Sequence, residues 1–255
     1  MLTYDGTRYN GWQIQPSLPT VQGTLAAAIH HVTGESVLPQ GSGRTDTGVH
    51  ALAQVASFEL TVPIPPPNLH RALNRALPSS IRVLSIEPAE AGFHARYSAR
   101  RKTYEYRIFP RLNCVTEQPC SPMLAPYVWD CPWQLDLSLL QRASRDLLGE
   151  HDFTTFAASD PDLTTRQQAN AVDPRSNIRR IDTSLWDERD GLYVYRVTGS
   201  GFLHHMVRNL VGTFVDIGAN RMPADVIPAL LAARNRSLAG PTAPAQGLFL
   251  VDVEY

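Results

Sequence analysis

The chain has 255 residues, is 43% hydrophobic and carries a net charge of −1. It is long enough for one large domain or two half-sized ones with a core, and too apolar for disorder to be the default. No apolar run reaches bilayer-spanning length, the start lacks a secretory-signal layout, and Cys114, Cys120 and Cys131 match neither a zinc-site spacing nor an even disulfide framework, so a cytoplasmic protein without metal is expected.

Taken in chain order, a strand-like start enters a turn from Tyr4-Asp5-Gly6 to Gly11, and Thr20 then caps a helix carrying Val21, Leu25, Ala28, Ile29 and Val32, which Gly34 ends. After the loop Gly41-Ser42-Gly43, residues Ala53 to Leu60 alternate as a strand until Pro63 to Pro67 interrupt. A helix over about Asn68 to Leu77 and a buried strand over Ile81 to Ile86 follow. Lys102 to Phe109 alternates, with Tyr104, Tyr106 and Ile108 on one face.

Residues 110–134, rich in Pro and Cys, read as a connection. Asp136 then caps a helix with Leu139, Leu140, Ala143 and Leu147, stopped by Gly149. Two strands, Ile178 to Trp186 and Leu192 to Thr198, separated by an Asp/Glu/Gly turn, lead into a helix presenting Met206, Val207, Leu210, Val211 and Phe214. A helix over Ala224 to Arg234 and a strand over Gly247 to Tyr255 close the chain. The pattern predicts an α+β fold: two similar mixed-sheet halves, 1–109 and 135–255, joined edge to edge by the 110–134 connection with helices on one face.

Net charge alone argues mildly against a nucleic-acid partner, but its distribution does not. Arg96, Arg100, Arg101, Lys102, Arg107 and Arg111 form a basic stripe opposed in that stretch only by Glu105. A second group, Arg175, Arg179 and Arg180, beside Asp173-Pro174, reads as a solvated face.

The sharpest stretch is Gly41-Ser42-Gly43-Arg44-Thr45-Asp46-Thr47-Gly48-Val49-His50-Ala51, where glycines bracket an Arg-x-Asp core. Glycines permit tight turning and close ligand approach, so a carboxylate and a guanidinium can share one small space. An ordinary reading stands beside this one: Asp46 satisfies backbone donors and Arg44 pairs with it. Tyr104 on pattern alone suits an ordinary core aromatic. Arg208 sits on an apolar helix, where a charge needs a partner. His204 and His205, read as helical neighbours, point about 100° apart and so would not share a metal ion as an i, i+4 pair could. His50, His94 and His151 are isolated and read as core or hydrogen-bonding groups.

Gly43-Arg44-Thr45-Asp46-Thr47-Gly48-Val49-His50 resembles the signature loop of TruA-type tRNA pseudouridine synthases. So, in order, do Tyr4-Asp5-Gly6 with Gly11-Trp12-Gln13, Phe93-His94-Ala95-Arg96-Tyr97-Ser98, Tyr104-x-Tyr106, His151-Asp152-Phe153-Thr154, Phe202 to Asn209 and Gly247 to Val251. The resemblance implies ferredoxin-like halves, one extended antiparallel-rich sheet and a central catalytic cleft. It implies an isomerase that converts uridine to pseudouridine at positions 38, 39 and 40 of the tRNA anticodon stem-loop, without cofactor, as a homodimer.

By the same resemblance Asp46 is the nucleophile, Arg44 fills the gap left by the extruded nucleotide, and Tyr104 stacks on the uracil. Arg208 pairs with Asp46 and Leu250 packs against the base. Arg96, Arg100, Arg101, Lys102 and His205 are the expected RNA contacts. A non-catalytic RNA-binding module and a hydrolase using Asp46 as nucleophile or metal ligand are the rival classes. The retained Asp46, Arg44, Tyr104 and Arg208 set speaks against the first, and the missing base or ligand cluster against the second. The family usually carries further strand residues before Tyr-Asp-Gly, so the start is expected to be truncated or assigned late and the first strand short.

Overall fold

The computed structural model describes residues 1–110, 119–158 and 177–255. Arg111, Cys114, Asp173, Pro174 and Arg175 lie outside the described residues. The fold is mixed α+β, with mostly antiparallel strands and accompanying helices. It forms two compact units, Met1–Glu105 with Ala245–Tyr255, and Tyr106–Pro244. This division differs from the linear one at 109 and 135. The closing strand groups with the first unit because it pairs in parallel with a strand there.

In the first unit the strands are β1 (Leu2–Tyr4), β2 (Gln40–Gly41), β3 (His50–Gln54), β4 (Ala56–Ser57), β5 (Ile81–Val83), the first five residues of β6 (Arg101–Phe109) and β11 (Leu248–Glu254). Their sheet order is β5-β1-β3-β11-β6, with β2 and β4 forming a separate antiparallel pair. β1 is antiparallel to β3 and β5, whereas β11 runs parallel to β3 with Phe249 opposite His50 and Leu250 opposite Ala51.

Helix α1 (Val21–Thr33) starts as expected: Thr20 Oγ1 accepts from the Gly23 N–H, and Gly34 ends the helix in the left-handed region at φ 78°. Helix α2 (Pro66–Ala76) begins two residues before the expected start, since proline fits the first helical positions. The strand expected over Ala53 to Leu60 is instead β3 and β4. β3 begins at His50 and buries Gln54 while leaving Leu52 exposed, which inverts the polar-out pattern and hides the strand from a periodicity reading.

The second unit holds the rest of β6, β7 (Trp129–Asp130), α3 (Leu137–Arg145), β8 (Gly149–Asp152), β9 (Ile178–Arg189), β10 (Leu192–Gly199), α4 (Met206–Gly218) and α5 (Ile227–Ala233). β6-β10-β9-β8 is the strand order, and β7, inside the expected connection, pairs in parallel with β6. Asp136 Oδ1 accepts from the Ser138 N–H at 2.8 Å and caps α3. β9 and β10 meet at Asp190 and Gly191, both at positive φ, the backbone of a primed hairpin turn that matches strand twist.

The core of this unit is aromatic: Trp186 stacks on Tyr195 at 5.0 Å and Phe214 meets Tyr195 edge-on at 5.2 Å. α4 is buried nearly all round. One side is pressed so close to the 240–243 segment that a Cβ at Gly212 would stand 1.6 Å from the Pro241 carbonyl oxygen. Among the described residues no helix is long and apolar enough to cross a membrane.

Candidate active site

Residues 42–49 between β2 and β3 have neither helix nor strand to satisfy their backbone groups, so partners come from elsewhere in the unit. The Trp12 N–H donates to the Thr45 carbonyl at 3.0 Å, and the Gly48 N–H donates to the Tyr9 carbonyl at 3.3 Å. The Val49 N–H closes a turn on the Asp46 carbonyl at 3.1 Å. Gly48 takes φ 79° in that turn, a conformation that strains residues with side chains. The result is an alternation: Arg44 exposed, Thr45 buried, Asp46 half-buried, Thr47 exposed.

Beneath the loop lies a polar network at full depth. Tyr4 Oη and Thr45 Oγ1 are 2.8 Å apart. Gln54, with no exposed surface, accepts at Oε1 from Ser42 Oγ at 2.6 Å and the Ser42 N–H at 3.2 Å. Its Nε2 donates to the Gly43 carbonyl at 3.0 Å and to Tyr4 Oη at 3.4 Å. Lys102 Nζ donates to the Ser42 carbonyl from the other side. Leaving one such buried group unpaired costs about 1–3 kcal/mol, so the set holds together or fails together.

Tyr104 is 7% exposed on β6, and a Cβ at Gly43 would lie 3.8 Å from its hydroxyl. Burial raises its pKa, and the charges of Tyr4 and then Asp46 raise it further. The same burial pushes Tyr4 up to about 12, against hydrogen bonds from Thr45 and Gln54 that lower it. Both phenols are therefore neutral at physiological pH. His50 is buried: its Nδ1 accepts from the Gly6 N–H at 3.1 Å and its ring stacks on Phe249 at 4.7 Å. That is the structural role expected for it.

The other expected contacts separate. Arg96 and Arg100 are exposed, Arg96 lying 5.7 Å from the Tyr97 ring centre. Arg101 bonds Glu254 at 3.3 Å across to β11. Lys102 directs its ammonium at the Ser42 carbonyl, so it braces the loop. Leu250 has no exposed surface and packs in the core opposite Ala51.

In the second unit Arg208 on α4 is half-buried. Its Nε donates to the Ala243 carbonyl at 2.8 Å, and the Ala243 N–H returns a bond to the Arg208 carbonyl at 3.1 Å. Burial raises the Tyr106 pKa well above normal, and the Arg208 charge opposes that rise. His205 precedes α4 at φ 57°. Because the helix begins at Met206, the expected helical divergence of His204 and His205 does not apply, and their ring centres lie 3.9 Å apart.

Sequence reasoning missed Gln54, Ser42, Thr45 and Tyr4 as supports of the loop. The one available signal was the inverted strand at Leu52 and Gln54.

A carboxylate and a guanidinium on a braced, partly open loop, beside a buried phenol, define a candidate active site of the carboxylate type on a mixed α+β scaffold. A family model described as tRNA pseudouridine synthase matches residues 1–98 and 143–255. A tRNA pseudouridine synthase A of Solibacter usitatus is 48% identical over 254 residues, spanning 100% of this chain and 97% of that protein. Those of Moorella thermoacetica and Caldicellulosiruptor bescii are 43% and 40% identical, each over 100% of this chain and 97% of the relative. The chain belongs to the tRNA pseudouridine synthase family, which makes it an isomerase acting on uridine in tRNA.

Proposed function

We propose that the target uridines are those at positions 38, 39 and 40 in the anticodon arm and that Asp46 is the nucleophile. Asp46 bonds transiently to the nucleotide and is released again; over the whole cycle the glycosidic N1–C1′ bond breaks, C5 bonds to C1′, and a proton leaves C5 while one is gained at N1. Nothing is oxidised or reduced, so the chemistry calls for no redox cofactor. Arg44, exposed beside Asp46, fills the space of the extruded nucleotide, an extrusion that costs a few kcal/mol. Tyr104 offers the face for the uracil, and Arg208 is the cation that pairs with Asp46. Leu250 shapes the apolar wall from within the core. Arg96, Arg100 and Arg101, with His205, are the RNA contacts, and Lys102 supports the loop from below.

The observation that carries this reading is the half-buried Asp46 on a clamped loop whose Gly43 stands close to the buried Tyr104 hydroxyl. The working form is a cytoplasmic homodimer, in which two neutral subunits offer the RNA a wider basic surface than one.

Asp46→Asn is the test, with the modified positions located by mass on a tRNA transcript. The variant should bind tRNA and form no pseudouridine. Appreciable turnover would remove Asp46 from the chemistry, and product outside the anticodon arm would overturn the target. Loss of activity in EDTA would revive a metal-dependent mechanism, and a light-scattering mass of one chain would exclude the dimer.

A further inference from the structure

We propose that Gln54 is the positioning residue of the catalytic loop: its buried carboxamide sets the height and aim of Arg44 and Asp46 through Ser42, Gly43 and the Tyr4–Thr45 pair. The proposal rests on the reading of Asp46 as the reacting carboxylate.

A primary amide offers two donors and two acceptor sites, and Gln54 uses all four. Three of the four end on Ser42 and Gly43, the residues that lead into Arg44. The fourth reaches Tyr4 Oη, which accepts from Gln54 and can in turn donate to Thr45 Oγ1, 2.8 Å away and between Arg44 and Asp46. One side chain on a regular strand thus ties the irregular loop to β3 directly and to β1 through Tyr4. An apolar residue would suffice to fill this place in the core, where Gln54 has 0% exposure. Its hydrogen bonds go to the loop that presents the charged pair, so they bear on orientation. Misplacing a reacting group by about 1 Å can cost 100-fold in rate.

Gln54→Met keeps the volume and removes every bond. At a temperature where the fold is intact, its single-turnover rate on tRNA should fall by about 10- to 100-fold while the tRNA Kd stays within about twofold. Ile29→Ala, at a fully buried position on α1, serves as the control. It should lower Tm while leaving the rate unchanged.

Gln54→Glu adds a signature that a packing role would not produce. When protonated, the introduced carboxyl can accept from Ser42 and donate to the Gly43 carbonyl as the amide does; when ionised, it has no donor. Burial raises its pKa. Relative to wild type at each pH, turnover by Gln54→Glu should therefore rise as pH falls. A wild-type rate in Gln54→Met, an equal rate loss in Ile29→Ala, or a Gln54→Glu profile parallel to wild type would each overturn the proposal. If Gln54→Met does not fold, the Gln54→Glu profile decides alone. Turnover by Asp46→Asn would instead defeat the nucleophile reading, whatever the Gln54 variants do.

Discussion

Gly11 and Thr45 meet so closely that a Cβ on Gly11 would stand 2.5 Å from the Thr45 carbonyl oxygen. Gly11 also sits at φ 81°, where a side chain is strained even in open space. That same carbonyl accepts the Trp12 N–H, so the approach is part of the clamp on the Asp46 loop. Gly11→Ala is expected to lose about 1–3 kcal/mol of stability from backbone strain and from the forced shift of that carbonyl. Because the displaced atom belongs to the residue before Asp46, turnover should drop at least about tenfold with tRNA affinity held. Thermal melting together with kcat and Kd checks this, and a stable variant with full kcat contradicts it.

The elements legible in the sequence were those specified by local chemistry. Thr20 and Gly34 bracket α1, Asp136 opens α3, and the Asp190-Gly191 pair turns β9 into β10, because caps and turns depend on neighbours in the chain. Strand β8, with the polar run Gly149-Glu150-His151-Asp152, was not legible. It is a strand because β9 pairs with it. The Asp46 loop announced itself through its glycines. Its supports did not, since Tyr4 to Thr45 spans 41 positions and Gln54 to Tyr4 spans 50, and no periodicity encodes such a bond.

Tyr4 gives the molecule a defined weakness to alkali. Its folded pKa of about 12 lies above the ordinary value of 10, so the folded state keeps a proton that the unfolded state releases. The associated stability is whole below pH 10 and is lost as pH rises toward 12, at about 1.4 kcal/mol per pH unit. Tyr4→Phe should therefore be less stable near neutrality by about 1–3 kcal/mol, through the missing bonds to Thr45 and Gln54, yet decline more shallowly between pH 10 and 12. Denaturant midpoints across that window test it. Parallel slopes for the two proteins would show that Tyr4 ionises as easily folded as unfolded.

The basic stripe divides by what each cation touches. Arg96 and Arg100 are exposed, whereas Lys102 reaches the Ser42 carbonyl. Replacing Arg96 and Arg100 together with alanine should weaken tRNA binding and flatten the plot of log Kd against log salt, by roughly 0.7–0.9 for each phosphate that is no longer neutralised. Lys102→Met should leave that slope unchanged and reduce turnover, because the bond it removes supports the loop that carries the proposed nucleophile. A salt slope that responds to Lys102 and ignores the arginines would move the RNA to a different face.

Gly212 and Arg208 lie one helical turn apart on α4 and face the same 236–243 segment, but they should fail in different ways. The segment is locked to the helix by Arg236 and Thr242, which both donate to Asn209 Oδ1, and by the Gly240 N–H to Thr213 Oγ1 at 3.0 Å. A methyl at Gly212 would collide with the rigid Pro241 carbonyl, so Gly212→Ala should cost at least about 1–3 kcal/mol and depress Tm first, with activity following only as the fold is lost. Arg208→Lys keeps the charge but loses the planar fork whose Nε holds Ala243. It should melt within about 1 kcal/mol of wild type while kcat falls about tenfold or more, since a lysine cannot keep both the backbone bond and the cationic role proposed for Arg208. Paired melting and single-turnover measurements separate the two effects, and an Arg208→Lys enzyme with undiminished kcat would show that charge alone suffices at this position.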